Sequence, residues 1–326
     1  MSIMHTGRRL IMRISGVTFA ARKTHKTRNT ILTIVILLLL AILAVVAISA
    51  YQGYSLLHPE KKDIETFSSN IVPEYRDISF KGIDKKIVLQ GWLFQTKNSD
   101  RTVIIAHSYR KNRLEFGIQT IDMIKFFMNK GYNVFTFDFR NSGKSGGEVS
   151  TLGYYEKDDL LAAISYIKQQ GSKHIVLLGF STGASTSILA AAESTDVDAV
   201  IADSPYSDLG SYLDGSFNKK THLPAFLFNK TVLISMEILG GIDTANASPM
   251  NSLKELSPAW LLLIHGQGDT EIPVDNSRRL YTAYSKLNPG KVELWETDAV
   301  GSIGSYTAYP EKYFERLSSF LDRIYL

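Results

Sequence analysis

Residues 175–193 read IVLLGFSTGASTSILAAAE, and the reading of this stretch decides the fold. Residues 175–178 are a short unbroken apolar run, the pattern of a parallel strand covered on both faces. Gly179, Ser181 and Gly183 follow as G-x-S-x-G. Small residues then recur at Ala184, Ser185, Ser187, Ala190, Ala191 and Ala192, which lets a helix pack close to a sheet. The stretch therefore predicts a strand, a one-residue corner and a helix, with Ser181 at the corner. A serine on such a turn has its hydroxyl pushed out above the sheet. It also lies beside helix N–H groups that can hold a developing oxyanion.

The five-residue pattern is weak alone, and the chain holds a second match at Gly143-Lys144-Ser145-Gly146-Gly147. That match follows the polar loop 138–141 rather than a strand, and no helix follows it, so it reads as a turn. It is not a Walker loop either, because Asp138 stands where that motif needs its first glycine. Context selects Ser181.

Outward from this stretch, strands and helices alternate. Strands are expected at 76–80, 87–94, 102–106, 133–137, 199–202, 259–264 and 291–295. Helices are expected over 115–129, 155–170, 276–286 and 309–324. The alternation indicates an α/β fold: a mostly parallel central sheet of about eight strands with helices on both faces. In such sheets, sites lie beyond the carboxyl ends of the strands. His107, Asp138, Ser181, Asp203 and Asp269 all fall at such ends. Residues 207–257 interrupt the alternation with many apolar and aromatic side chains, and read as a small, mostly helical cap over those ends.

The N-terminal end is of a different character. Its first 29 residues carry seven cations and no acid. Residues 30–49 are then twenty uncharged positions, TILTIVILLLLAILAVVAIS, long enough to cross about 30 Å of hydrocarbon as a helix. Tyr51 and Tyr54 stand where an interfacial aromatic belt would fall. The expected layout is a basic cytoplasmic segment (1–29), a transmembrane anchor (30–50), a linker (51–74) and one large domain (75–326). The basic flank predicts a single-pass cell-membrane protein with that domain outside. A cleaved signal peptide is the competing reading, because Ala47-Ile48-Ser49 resembles a cleavage site. The chain is +4 overall and its first 50 residues hold +7, which leaves −3 for the rest. The basic balance is thus a membrane feature and does not imply nucleic acid. There is no cysteine, which removes disulfides, thiol nucleophiles and Cys-based metal sites. No H-E-x-x-H or G-x-G-x-x-G is present, so neither metal nor nucleotide cofactor is expected.

From about residue 75 to the end, four ordered motifs carry a resemblance. They are His107-Ser108-Tyr109, the run Asp138-Phe139-Arg140-Asn141-Ser142-Gly143-Lys144-Ser145, the G-x-S-x-G at 179–183, and His265-Gly266-Gln267-Gly268-Asp269-Thr270-Glu271-Ile272-Pro273. Together they resemble the bacterial α/β-hydrolases, more narrowly the membrane-anchored single-domain serine hydrolases. The resemblance implies a Ser–Asp–His relay acting on an ester, thioester or small amide bond of a small-molecule or acyl substrate. By position, Ser181 is the nucleophile, Asp269 the orienting acid, and the N–H groups of Tyr109 and Thr182 the oxyanion hole.

One position departs from the family pattern. The relay histidine is expected shortly before the last helix, and its place is taken by Ser302. The seven histidines are at 5, 25, 58, 107, 174, 222 and 265, none of them beyond the acid motif. A second hydroxyl cannot accept the proton of Ser181 near neutral pH. The sequence therefore leaves three readings: a serine hydrolase impaired at Ser302, a non-catalytic ligand- or partner-binding hydrolase scaffold, and a relay with an unconventional base such as His107 or His222. Ser108, where the family has glycine, is expected to narrow the pocket beside the oxyanion loop.

Overall fold

The structure is a computed structural model. It describes residues 3–6, 9–14, 17–21 and 26–325, apart from 67, 69, 211, 214–220, 222, 257–258 and 299. The chain divides into two compact units, Met1–Ile48 and Ser49–Leu326.

In the first unit, β1 (Ile3–Thr6), β2 (Arg9–Ile14) and β3 (Val17–Ala21) pair antiparallel in that order. These strands were not expected from the sequence, because closely spaced cations mask the short apolar runs between them. Helix α1 (Lys26–Leu57) follows and is long and apolar enough to cross a membrane.

The second unit is built on an eight-stranded sheet. Its strands are β4 (Arg76–Lys81), β5 (Val88–Phe94), β6 (Arg101–Ala106), β7 (Asn133–Asp138), β8 (His174–Phe180), β9 (Val197–Asp203), β10 (Trp260–Gly266) and β11 (Val292–Thr297). The spatial order is β11-β10-β9-β8-β6-β7-β5-β4, and only the pairings of β5 with β4 and β7 are antiparallel. This is the α/β-hydrolase fold that the motifs predict, with β8 in the interior of the sheet.

Each central strand is buried on both faces, so its side chains alternate between two separate cores. Ile175 and Leu177 of β8 join one core with α3 (Glu156–Gln169), α4 (Thr182–Ala192) and α7 (Asp275–Leu287). Val176 and Leu178 join the other with α2 (Gln119–Asn129) and α9 (Pro310–Tyr325). A continuous apolar run is what such two-sided burial requires. The insertion holds α5 (Ala225–Gly240) and the short α6 (Pro249–Ser252), and a further short helix, α8 (Gly304–Ala308), precedes α9.

One boundary differs in an informative way. The helix expected from residue 115 begins only at Gln119. The buried Glu115 carboxylate instead accepts the Ser108 N–H at 2.6 Å and the Ser108 hydroxyl at 2.7 Å. Gly117 then takes φ +58°, outside any right-handed helical turn. Ser108 does border the cleft described below, but its hydroxyl is tied to Glu115.

Candidate active site

Register brings the strand ends level. Ala106 lies opposite Gly179, Phe180 opposite Asp203, and Asp203 opposite Ile264. The residues just beyond these ends therefore share one edge. Ser181 sits there at φ +50°, ψ −116°, a strained conformation for a residue with a Cβ. Its N–H donates to the Asp203 carbonyl at 2.8 Å, which fixes the corner. The flanking glycines are required by crowding. A Cβ on Gly179 would lie 2.3 Å from the Gly183 carbonyl oxygen, and one on Gly183 would lie 2.3 Å from the Ala106 carbonyl oxygen. The second match at residues 143–147 is a turn, with Ser145 buried and its hydroxyl donating to the Asp138 carbonyl at 2.5 Å.

Thr182 opens α4, so its N–H is one that the helix itself leaves unsatisfied. The Tyr109 N–H donates to Thr182 Oγ1 at 2.7 Å. The loop that carries Tyr109 is held by His107. The His107 ring donates from Nδ1 to the Ser108 carbonyl (2.8 Å), while Nε2 accepts the Phe139 N–H (3.0 Å). Complete burial holds its pKa below the usual range, in keeping with a neutral ring.

Asp269 is buried, and its Oδ1 accepts the N–H groups of Glu271 and Ile272, both at 2.8 Å. Its Oδ2 is also buried and has no hydrogen-bond partner. The nearest imidazole, His265, lies 3.5 Å from that oxygen. However, the His265 Nε2 proton goes to the Ile272 carbonyl at 2.7 Å, and Nδ1 meets the Ser277 hydroxyl at 2.7 Å. Both rings that stand near the strand ends are therefore occupied. His174 pairs with Asp198 at the opposite end of the sheet, and His222 lies outside the described residues.

The segment after β11 returns across these strand ends. A Cβ on Gly266 would meet the Val300 carbonyl oxygen at 2.4 Å and that of Gly301 at 2.9 Å, so backbone lies directly on backbone there. Ile303 adopts φ +47°, a rare conformation for a β-branched residue, and donates its N–H to Ser204 Oγ at 3.1 Å. Ser302 and Ser181 thereby border the same cleft, of about 490 Å³, with Thr270 and Glu271 on its wall; the buried Asp269 precedes these two in the chain. Tyr212, from the start of the insertion, borders it as well. Lys62, Arg110 and Lys111 also line it, against the acid Glu271.

Two parts of this arrangement escaped the sequence reading. Lys62 belongs to a stretch read as linker, yet residues 56–63 are fastened to the body. Tyr109 donates its hydroxyl to the Leu56 carbonyl (2.6 Å), the Lys61 ammonium bonds the Ser145 carbonyl (2.8 Å), and Asn112 bonds the Asp63 carbonyl (3.0 Å). The other part is a buried relay behind the returning loop. Asp203 accepts the hydroxyls of Tyr313 (3.0 Å) and Ser204 (3.1 Å), and burial pushes its pKa up to about 7. Only the strand-end position of Asp203 hinted at it.

Known proteins share the fold that carries this site. A family profile described as the alpha/beta hydrolase fold matches residues 89–233. The Pyrococcus furiosus esterase Pf2001 superposes with a TM-score of 0.68 at 30% identity, over 82% of this chain and 98% of that one. YqkD of Bacillus subtilis (strain 168) is 28% identical over 241 residues, 72% of this chain and 76% of its own. The lysophosphatidylserine lipase ABHD12 of Danio rerio is 29% identical over 194 residues, 55% of this chain and 47% of its own, so the match spans about half of that lipase.

Proposed function

Because the chain belongs to the α/β-hydrolase family, we propose that it is a membrane-anchored serine hydrolase whose proton relay is interrupted at Ser302. In this reading Ser181 Oγ attacks the carbonyl carbon of an ester, thioester or small amide. The carbonyl oxygen becomes an oxyanion held by the Thr182 and Tyr109 N–H groups, and the second requires Thr182 Oγ1 to swing aside. The oxyanion then collapses and expels the leaving group, which leaves an acyl-Ser181 that water hydrolyses. Each step needs a base that first takes and then returns a proton, and Ser302 cannot serve.

The observation that carries the reading is the buried, unpartnered Oδ2 of Asp269. A buried carboxylate oxygen without a hydrogen bond costs about 1–3 kcal/mol or more. In the family's relay that oxygen receives the N–H of the histidine. An Oδ2 without that partner supports an acid site that lacks its imidazole, and Ser302 borders the same cleft as Ser181. In subtilisin, loss of the relay histidine alone lowers kcat by about 10⁶, with roughly 10³–10⁴ over water remaining. Slow acylation and very low turnover are therefore expected. The cations of the cleft favour substrates that carry an anionic group near the ester, in keeping with the substrate named for ABHD12. Helix α1 serves as the anchor, with the basic flank inside and the hydrolase unit outside.

A second reading, a binding module without turnover, is favoured by the Thr182 hydroxyl that caps the Tyr109 N–H. Labelling by a fluorophosphonate probe separates the two: the hydrolase reading requires covalent modification of Ser181, and loss of the label in Ser181→Ala. If Ser181 resists the probe in both the wild type and Ser302→His, the hydrolase reading is wrong.

A further inference from the structure

Helix α5 is apolar on the face it buries and on the face it shows. Phe228, Val232 and Met236 point into the body, while Phe226, Leu227, Ile234 and Ile238 are exposed. Phe226 is 90% exposed, the most of any large apolar side chain among the described residues. The turn before it, Leu223-Pro224-Ala225, is apolar too. Lys230 interrupts this outer face, but an exposed cluster of large apolar side chains is ordinarily covered by a partner or a membrane.

What covers the outer face is indicated by the neighbour of α5. The last nine residues of α1, which belong to the second unit, run beside it. The Ser49 hydroxyl bonds that of Thr231 at 2.7 Å. A Cβ on Gly53 would lie 3.0 Å from Ser235 Cβ, and one on Gly240 would lie 3.1 Å from Leu57. Residues 49, 53 and 57 thus meet residues 231, 235 and 240 in ascending order, so the two segments run in the same direction. Ser49 is also the residue at which the apolar run 30–49 ends along the chain. The N-terminal end of α5, with Phe226 and Leu227, is consequently the end nearest that point. Tyr51 and Tyr54, 69% and 54% exposed, mark the interfacial level one turn further on. Lys230 follows the apolar tip by one turn, where its ammonium can reach headgroups while its stem covers apolar surface.

We infer that residues 223–227, the tip of the cap, insert into the same bilayer surface as the anchor, so that the cap is seated in lipid. This rests on the reading of α1 as an anchor. The depth should be graded along α5. Phe226 and Leu227 enter the acyl region, Ile234 lies among headgroups, and Ile238, about 18 Å from Phe226 at 1.5 Å per residue, stands clear.

The cysteine-free chain makes the test direct. Single cysteines at Leu40, Phe226, Ile238 and Thr195 in the full-length protein are labelled with an environment-sensitive nitrobenzoxadiazole. The proteins are reconstituted into phosphatidylcholine–phosphatidylglycerol vesicles with or without doxyl-labelled lipid. The inference expects blue-shifted emission and strong quenching at L40C and F226C, and none at I238C or T195C. Quenching at L40C with F226C no different from T195C overturns the inference and leaves the anchor intact. Disulfide formation between unlabelled F226C copies, with no lipid quenching of the labelled protein, also overturns it, in favour of a second copy on this face. If L40C is unquenched, the anchor reading fails. The inference, which rests on that reading, then fails with it, whereas loss of quenching at F226C alone defeats only the inference.

Discussion

A double-mutant cycle between residues 302 and 269 tests the interrupted relay most sharply. In the wild type, Asp269 Oδ2 has no hydrogen-bond partner, and on the proposed reading it orients no base. Asp269→Asn keeps a carbonyl oxygen for the Glu271 and Ile272 N–H groups, so the turn survives. Alone, it should alter kcat/KM toward short p-nitrophenyl esters by no more than a few-fold. Ser302→His should supply the missing base and raise kcat by about 10⁴–10⁶. In that background Asp269 acquires its orienting role, and Asp269→Asn should then remove about 10⁴ of the gain. A coupling of about 10⁴ corresponds to about 5.4 kcal/mol. The Ser302→His variant should also be more stable by about 1–2 kcal/mol, because a charged hydrogen bond reaches a buried acceptor. A neighbouring carboxylate raises an imidazole's pKa. That added stability should therefore be fullest below about pH 6.5 and fade as pH rises through the raised value. Additive effects of the two substitutions would refute the reasoning. So would a wild type that is already fast and loses its activity with Asp269→Asn, since Asp269 would then be serving a base other than one at 302.

Three further outcomes follow from the same geometry. Gly183→Ala places a Cβ against backbone that cannot retreat, and should destabilise by about 3 kcal/mol or more, read by denaturant midpoint. Arg113→Met strips the buried Asp138 carboxylate of its 2.7 Å partner and should cost about 3–5 kcal/mol; removal of the more exposed Lys157–Glu193 pair should cost under about 1 kcal/mol. Asp203 has its pKa raised by burial to about 7, so the folded state holds a proton that the unfolded chain releases near pH 4. Its contribution makes stability fall as pH rises between those values and level off above about 7. Asp203→Asn should therefore flatten the dependence of melting temperature on pH over that window; an unchanged profile would mean that Asp203 is ionised throughout.

The elements of the fold were legible because each satisfies a local rule. Strands buried on both faces must be apolar throughout, and helices between them must show a 3.6 period and stop at glycine, so residues 175–178 and 155–170 declared themselves. The corner at Ser181 was legible for a related reason: only small neighbours tolerate a carbonyl at 2.3 Å from a would-be Cβ. Where a side chain reached across the chain, local rules failed. Glu115 fits a helical period, yet its carboxylate is taken by Ser108, and the helix starts four residues late. Residues 58–63 are polar and read as linker, but their backbone carbonyls and Lys61 find partners on distant loops.

By itself, the sequence determined the alternation of elements, the apolar N-terminal run and the chemical identity of residues 181, 269 and 302, because these depend on residue type and short spacing. Only the tertiary structure decided that residue 302 shares a cleft with Ser181, that one oxygen of Asp269 is left without a partner, and that Ser49 runs beside Thr231. Those facts rest on parallel strands paired out of chain order and on loops that return across their ends. Contacts between residues a hundred positions apart follow from that topology, and no local pattern in the chain encodes them.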